Sequence, residues 1–247
     1  MSYPIETMTT ETTNTKAVDA MFKAGAHFAF SRSRRHPTSA PYIFGVKNRV
    51  EIFDLEKTSA LLDSAKEFVK TMAREGKQIL FVGGKSEARA AIKAAALSLD
   101  MPYVADRWIG GTLSNFKEIR SRVEKLLDLT AKREKGELGK YTKKERLLID
   151  REIDKLERFF SGLIPMKDLP KAVFVIDSKH EKIAVTEAKK AGIPVVALLG
   201  SDCNVKDVDH PIFGNDASIA SIAFFVDQIV WAYKEGVNER IKAQNTK

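Results

Sequence analysis

A chain of 247 residues, 44% hydrophobic and 30% charged, is long enough to bury a substantial core without disulfide staples. It contains no apolar run of about 18 residues, which excludes a membrane-spanning helix, and 41 Lys and Arg against 33 Asp and Glu leave a net charge of +8 that points to anionic partners. The single cysteine, Cys203, rules out an internal disulfide and a multi-cysteine zinc site and fits a reducing compartment, with the cytoplasm as default.

The first 16 residues, MSYPIETMTTETTNTK, lack the basic and apolar regions of a secretory signal; six threonines make them read as a polar, disordered arm. Val18, Met21 and Phe22 predict a short helix over 17–24, with Gly25 as a left-handed cap. GAHFAFSRSRRHPTSAP (25–41) reads as a basic loop, and YIFG and VEIF, separated by VKNR, as a β-hairpin. Asp54 is placed to cap a helix whose apolar positions Leu61, Ala65, Phe68, Val69 and Met72 run to Gly76. Strand and helix then alternate. Strands are expected at 78–82, 102–105, 171–177 and 194–199, and helices over Ser86–Leu99, Glu181–Ala191 and Asp216–Glu235. Continuous apolar strands imply burial on both faces, and hence a parallel sheet in a three-layer α/β/α domain.

Residues 114–160 interrupt this alternation. Ile119, Val123, Leu126 and Thr130 step by helical intervals, as do Ile149, Ile153, Leu156 and Phe160, with KGELGK between the two runs. The pattern predicts an inserted antiparallel helical, coiled-coil hairpin. Its 14 basic and 10 acidic residues give it a net charge of +4, compatible with either a binding arm or an ordinary solvated helix pair. The expected organisation is an N-terminal arm (1–16), an α/β domain (17–113 and 161–236), the inserted hairpin (114–160) and a polar, loose C-terminal tail (237–247).

FVGGKSEA (81–88) stands where a strand end meets a helix, a place suited to holding an anion, with Ser86 as the expected cap. A P-loop would need glycine at position 79, where isoleucine stands, and the spaced glycines of a dinucleotide site are missing. Asp177, His180, Asp202 and Cys203 follow two strand ends, where doubly wound sheets place ligands, yet no recognised metal-ligand spacing accompanies them. Turn and cap duties account for such residues, as packing or solvation accounts for His27 and His36. Arg32, Arg34 and Arg35 offer guanidinium forks for phosphate oxygens, with Phe28, Phe30 and Tyr42 nearby. Stacking on unpaired bases is open to these rings, though anchoring the loop is the commoner duty.

RWIGGTLSNF (107–116) brings a resemblance into view, extended in order by GAHF, PYIFG, IFDLEKT, LFVGGK, MPYV, FVID, GIPVVA and GND over about residues 17–235. The chain resembles the bacterial-type S-two family of small-subunit ribosomal proteins. The resemblance implies a flavodoxin-like domain with a protruding helical hairpin and a structural, non-enzymatic role. It further implies rRNA binding between the head and body of the subunit and help in docking the large mRNA-binding protein S-one. No cofactor, metal, membrane or small-molecule substrate is implied. Where family members follow HF with Gly-His-Gln and then Arg-Arg-Trp-Asn-Pro, this chain has Ala29, Phe30 and Ser31, then Arg34, Arg35, His36 and Pro37. Arg34 matches one family arginine, Arg35 stands in the tryptophan place, Arg32 is an added charge, and Phe30 replaces the second histidine.

The expected RNA-binding set is therefore Arg32, Arg34, Arg35 and His36 in the loop, Lys47 and Arg49 in the hairpin, and Arg107, Trp108, Lys117 and Arg120 at the base of the arm. Arg107 with Trp108 is equally suited to organising that base. Two rival readings stay open: a nucleotide-binding enzyme using GGKS, and a scaffold whose arm binds protein alone.

Overall fold

The computed structural model describes residues 16–245; the expectation for residues 1–15 falls outside the described residues. Residues 16–23 are helical (α1) and end at Gly25, whose φ of +71° is the left-handed cap geometry. β1 (Ile43–Lys47) and β2 (Val50–Phe53) form an antiparallel hairpin. Asp54 then caps α2 (Leu55–Arg74), accepting the backbone N–H groups of Glu56 and Lys57.

The body follows as β3 (Ile79–Val82), α3 (Ser86–Ser98), β4 (Tyr103–Val104), β5 (Ala172–Ile176), α6 (Lys182–Lys190), β6 (Val195–Leu199), β7 (His210–Phe213) and α7 (Ile219–Asn245). All five body strands are parallel, in the order β4-β3-β5-β6-β7. Renumbered from β3, that is 2-1-3-4-5, the flavodoxin-like winding, whose strand order reverses between β3 and β5.

Alternate residues of each central strand feed two cores. Leu80, Val82, Val173, Val175, Val195 and Ala197 pack toward α6 and the start of the inserted helices. Ile79, Phe81, Phe174, Ile176, Val196 and Leu198 pack toward α2, α3 and α7. Burial on both faces explains why these strands show no polar alternation.

Between β4 and β5 lie α4 (Phe116–Glu134) and α5 (Lys143–Phe160). Ile119, Val123, Leu126, Ile153, Leu156 and Phe160 are buried, and Lys125 forms an ion pair with Glu152 across the two helices. Thr142 opens α5 with a reciprocal capping box to Glu145.

The structure departs from expectation at a strand, a cap and a helix end. β7 is a fifth strand, unannounced because its four residues include Pro211; at the sheet edge a missing N–H costs no ladder bond. Lys85, rather than Ser86, is the cap residue of α3, and the Ser86 hydroxyl turns to Glu87 at 2.8 Å. Residues 237–245 are not a loose tail but the end of α7, where Glu239 bridges Lys70 (2.7 Å) and Arg74 (2.6 Å) of α2.

Candidate nucleic-acid interface

The basic loop is built rather than slack. Residues 27–30 lie along β2: Ala29 N–H donates to Glu51 O (2.9 Å), Glu51 N–H to Phe30 O (3.3 Å), and Phe53 N–H to His27 O (2.8 Å). Two 3₁₀ turns follow, Arg32–Arg34 and Pro37–Tyr42. Ser201, just beyond β6, anchors them: its carbonyl accepts His36 N–H (2.8 Å) and the Ser39 hydroxyl (2.8 Å), and its own hydroxyl accepts Phe30 N–H (3.1 Å).

This framework decides which cations face solvent. Arg32 and Arg34 are exposed. The Arg34 guanidinium lies over the Phe30 ring at 4.3 Å and 4.0 Å from the Asp202 carboxylate, which Lys179 also holds at 2.9 Å. Arg35 turns inward to the fully buried Glu51 at 2.9 Å. His36 is half-buried and caps the second turn, with Nδ1 2.8 Å from the Thr38 hydroxyl. Tyr42 stacks on Phe213 at 4.3 Å and belongs to the core rather than to a base-stacking surface.

Lys47 and Arg49 are exposed at the hairpin tip, which the backbone pairing above joins to the loop. Asn48 and Arg49 make the two-residue turn with φ of +52° and +65°. Beneath the hairpin is an apolar hollow of about 710 Å³ walled by Phe22, His27, Phe28, Phe44, Val50 and Ile52. Phe44 is 80% exposed and Phe28 is 50% exposed, so Phe28 lines this surface instead of anchoring the loop in the core. His27 is sandwiched between Phe22 (4.3 Å) and Phe28 (4.1 Å); burial holds its pKa below the ordinary imidazole value, and Nδ1 has no hydrogen-bond partner among the described residues.

Arg107, Trp108, Lys117 and Arg120 form a second group, at the base of the inserted helices. Trp108 is buried: its indole N–H points to Glu187 of α6 at 3.4 Å, so it organises the arm base and offers no ring face to a base. The same carboxylate accepts the backbone N–H groups of Gly111 (2.7 Å), Leu113 (3.0 Å) and Ser114 (3.2 Å), wrapping the GGT-x-x-NF turn around it. Burial alone would raise the pKa of Glu187, but these hydrogen bonds outweigh it and hold it below the usual carboxylate value. Arg120 reaches the carbonyls of Ile164 and Met166, each at 3.4 Å, and is turned to the same structural end. Arg107 and Lys117 are exposed. Sequence reasoning passed over Glu187, whose signal is a carboxylate among Ala184, Val185 and Ala188 on the buried face of α6.

The strand ends at the winding reversal hold their own countercharges. Gly84 N–H, a backbone donor of the strand-end turn, already donates to the buried Glu181 carboxylate at 3.0 Å. A Cβ on Gly84 would stand 2.6 Å from that oxygen and 2.7 Å from Asp106 O, so glycine is required for the approach. Lys85 Nζ bridges Asp177 (2.5 Å) and Asp216 (2.7 Å). Asp177, Cys203 and Asp216 bring three ligand-type atoms within 4.8 Å of one another, and the two carboxylates of this cluster are the ones paired with the Lys85 ammonium. Burial and the Asp177 charge push the Cys203 thiol up to about 12, and its S–H points to Asp177 Oδ1 at 3.3 Å, while His180 pairs with Glu181 at 2.8 Å. The thiol is thus favoured over the thiolate and hydrogen-bonds to a carboxylate, the reverse of an activated nucleophile.

Comparison with known proteins bears on this arrangement. A family model for ribosomal protein S2 matches residues 21–236. A small ribosomal subunit protein uS2 from Coprothermobacter proteolyticus is 41% identical over 216 residues, covering 87% of this chain and 81% of the relative. Another uS2, from Salinibacter ruber, is 39% identical over 229 residues, covering 93% and 72%. The match spans both the loop with its hairpin and the inserted helices, and the chain belongs to the ribosomal protein S2 family, structural proteins of the small ribosomal subunit and not enzymes.

Proposed function

We propose that this chain binds small-subunit rRNA between the head and body of the subunit, with Arg32 and Arg34 as its phosphate contacts and Lys47 and Arg49 extending the same surface. The observation that carries the reading is a Ser201-anchored loop that holds two guanidinium groups out to solvent beside a cationic hairpin tip. Preorganised forks lose little entropy on meeting phosphate. Arg107 and Lys117 at the arm base form a separate cationic point that can meet a second stretch of RNA or a neighbouring protein. The apolar hollow under the hairpin suits a protein anchor and supports the further reading that the chain helps dock S-one.

Co-sedimentation with small ribosomal subunits across a salt series tests the reading. Each phosphate contact contributes about −0.7 to −0.9 to the slope of log affinity against log salt. Arg34→Glu is expected to weaken association and flatten that slope. An unchanged slope removes the loop from the interface.

A further inference from the structure

We propose that Arg35 is a positioning residue: the internal counter-ion of Glu51, whose pairing closes the basic loop and sets the register in which Arg32 and Arg34 meet phosphate. This rests on the RNA-binding reading above. Glu51 grips the loop twice. Its backbone receives the incoming strand through Ala29 N–H to Glu51 O (2.9 Å) and Glu51 N–H to Phe30 O (3.3 Å), and its side chain accepts Arg35 Nη1 at 2.9 Å on the outgoing side. One residue thereby clasps both ends of the 30–35 turn.

The clasp cannot be lent to a ligand. Burial alternates along β2, with Glu51 and Phe53 buried and Val50 and Ile52 less so, and Glu51 thus occupies a core position and is 0% exposed. Its Oε1 has Arg35 as partner; its Oε2 has no hydrogen bond among the described residues. A buried carboxylate with a single counter-ion is tolerated only while that ion stays, because removal leaves an uncompensated charge in low dielectric. A phosphate drawing Arg35 outward would strip Glu51 of its only charge partner among the described contacts. Arg34 differs: it is 60% exposed, and the acid near it, Asp202, retains Lys179 when Arg34 leaves.

The test compares the full-length chain with Arg35→Met, Glu51→Gln, the double variant and Arg34→Met, measuring thermal midpoint without RNA and affinity for small-subunit rRNA over a salt series. Arg35→Met is expected to lower the midpoint by roughly 10 °C, and adding Glu51→Gln to recover most of that loss, since the stranded charge is gone. The double variant, folded even where Arg35→Met is not, is expected to bind about tenfold more weakly with an unchanged salt slope, whereas Arg34→Met flattens the slope. Additive midpoint shifts overturn the pairing. A flattened slope in the double variant makes Arg35 a phosphate contact, and wild-type affinity there reduces the pair to a fold element; either result overturns the positioning role. Absence of binding by the wild-type chain defeats the RNA reading itself and the positioning role with it, while the midpoint cycle still judges the ion pair alone.

Discussion

Arg49 holds a backbone conformation that side chains with a Cβ avoid. With φ of +65° at the second position of a two-residue hairpin turn, it stands where glycine is the relaxed choice. Left-handed geometry costs a non-glycine residue about 1 to 2 kcal/mol, and here the residue that bears the cost is an exposed cation. Arg49→Gly should therefore stabilise the protein by about 1 kcal/mol in urea unfolding while flattening the salt dependence of RNA binding by about 0.7 to 0.9. Loss of stability would show that the arginine side chain supports the hairpin, and unchanged RNA binding would exclude it from the interface. Glu187 shows the opposite economy, a buried charge satisfied by four donors. Its pKa in the folded protein lies below the ordinary 4.5, so its contribution is present above that pH and is lost as pH falls through the folded value. Glu187→Gln should thus destabilise the protein at pH 7 by about 1 to 3 kcal/mol and lessen the further loss on acidification below about pH 4.5. Denaturation midpoints across that range supply the check; parallel pH profiles for both chains would refute it.

At the scale of elements, helical period and caps were readable wherever local chemistry sets them. Asp54 caps α2, Gly25 ends α1, and the interval pattern of Ile119, Val123 and Leu126 matches the buried face of α4. The end of α7 was not readable, because Gly236 followed by polar residues looks like a stop. What continues the helix is tertiary: a Cβ on Gly236 would lie 2.5 Å from Lys70 O and 2.7 Å from Ala73 Cβ, so the glycine lets α7 press against α2. Two effects of opposite sign meet at this position. Helix propensity favours alanine by about 1 kcal/mol, and overpacking against a fixed carbonyl costs about 1 to 3 kcal/mol. Gly236→Ala should accordingly lower stability, by thermal or urea denaturation, despite better helix propensity. A stabilised variant would mean that the two helices can separate at little cost. β7 escaped notice for a related reason: its place is set by pairing with β6 at Leu198↔Ile212, not by its own four residues.

Across the whole molecule, the net charge of +8 is divided between cations that face solvent and cations spent inside. Lys85 neutralises Asp177 and Asp216, and Arg35 serves Glu51. Arg32, Arg34, Lys47, Arg49, Arg107 and Lys117 remain at the surface. Lys85→Met should illustrate the division. Two buried carboxylates would lose their shared partner at an expected cost of about 3 to 5 kcal/mol, read as a lowered unfolding midpoint, with the salt slope of RNA binding unchanged. A shifted slope at constant stability would place Lys85 at the interface instead.

By itself the sequence determined the alternating α/β order, the inserted helices and the basic loop, since periodicity, caps and apolar runs are local properties. It also showed that GGKS is no P-loop, because that motif depends on spacing alone. Which arginine of the loop is free, which tryptophan face is enclosed and which carboxylate fills the strand-end cradle were decided only by the tertiary structure. A charged side chain's role depends on its partner, and Glu51, Glu187 and Glu181 reach Arg35, Trp108 and Gly84 only once the chain has folded.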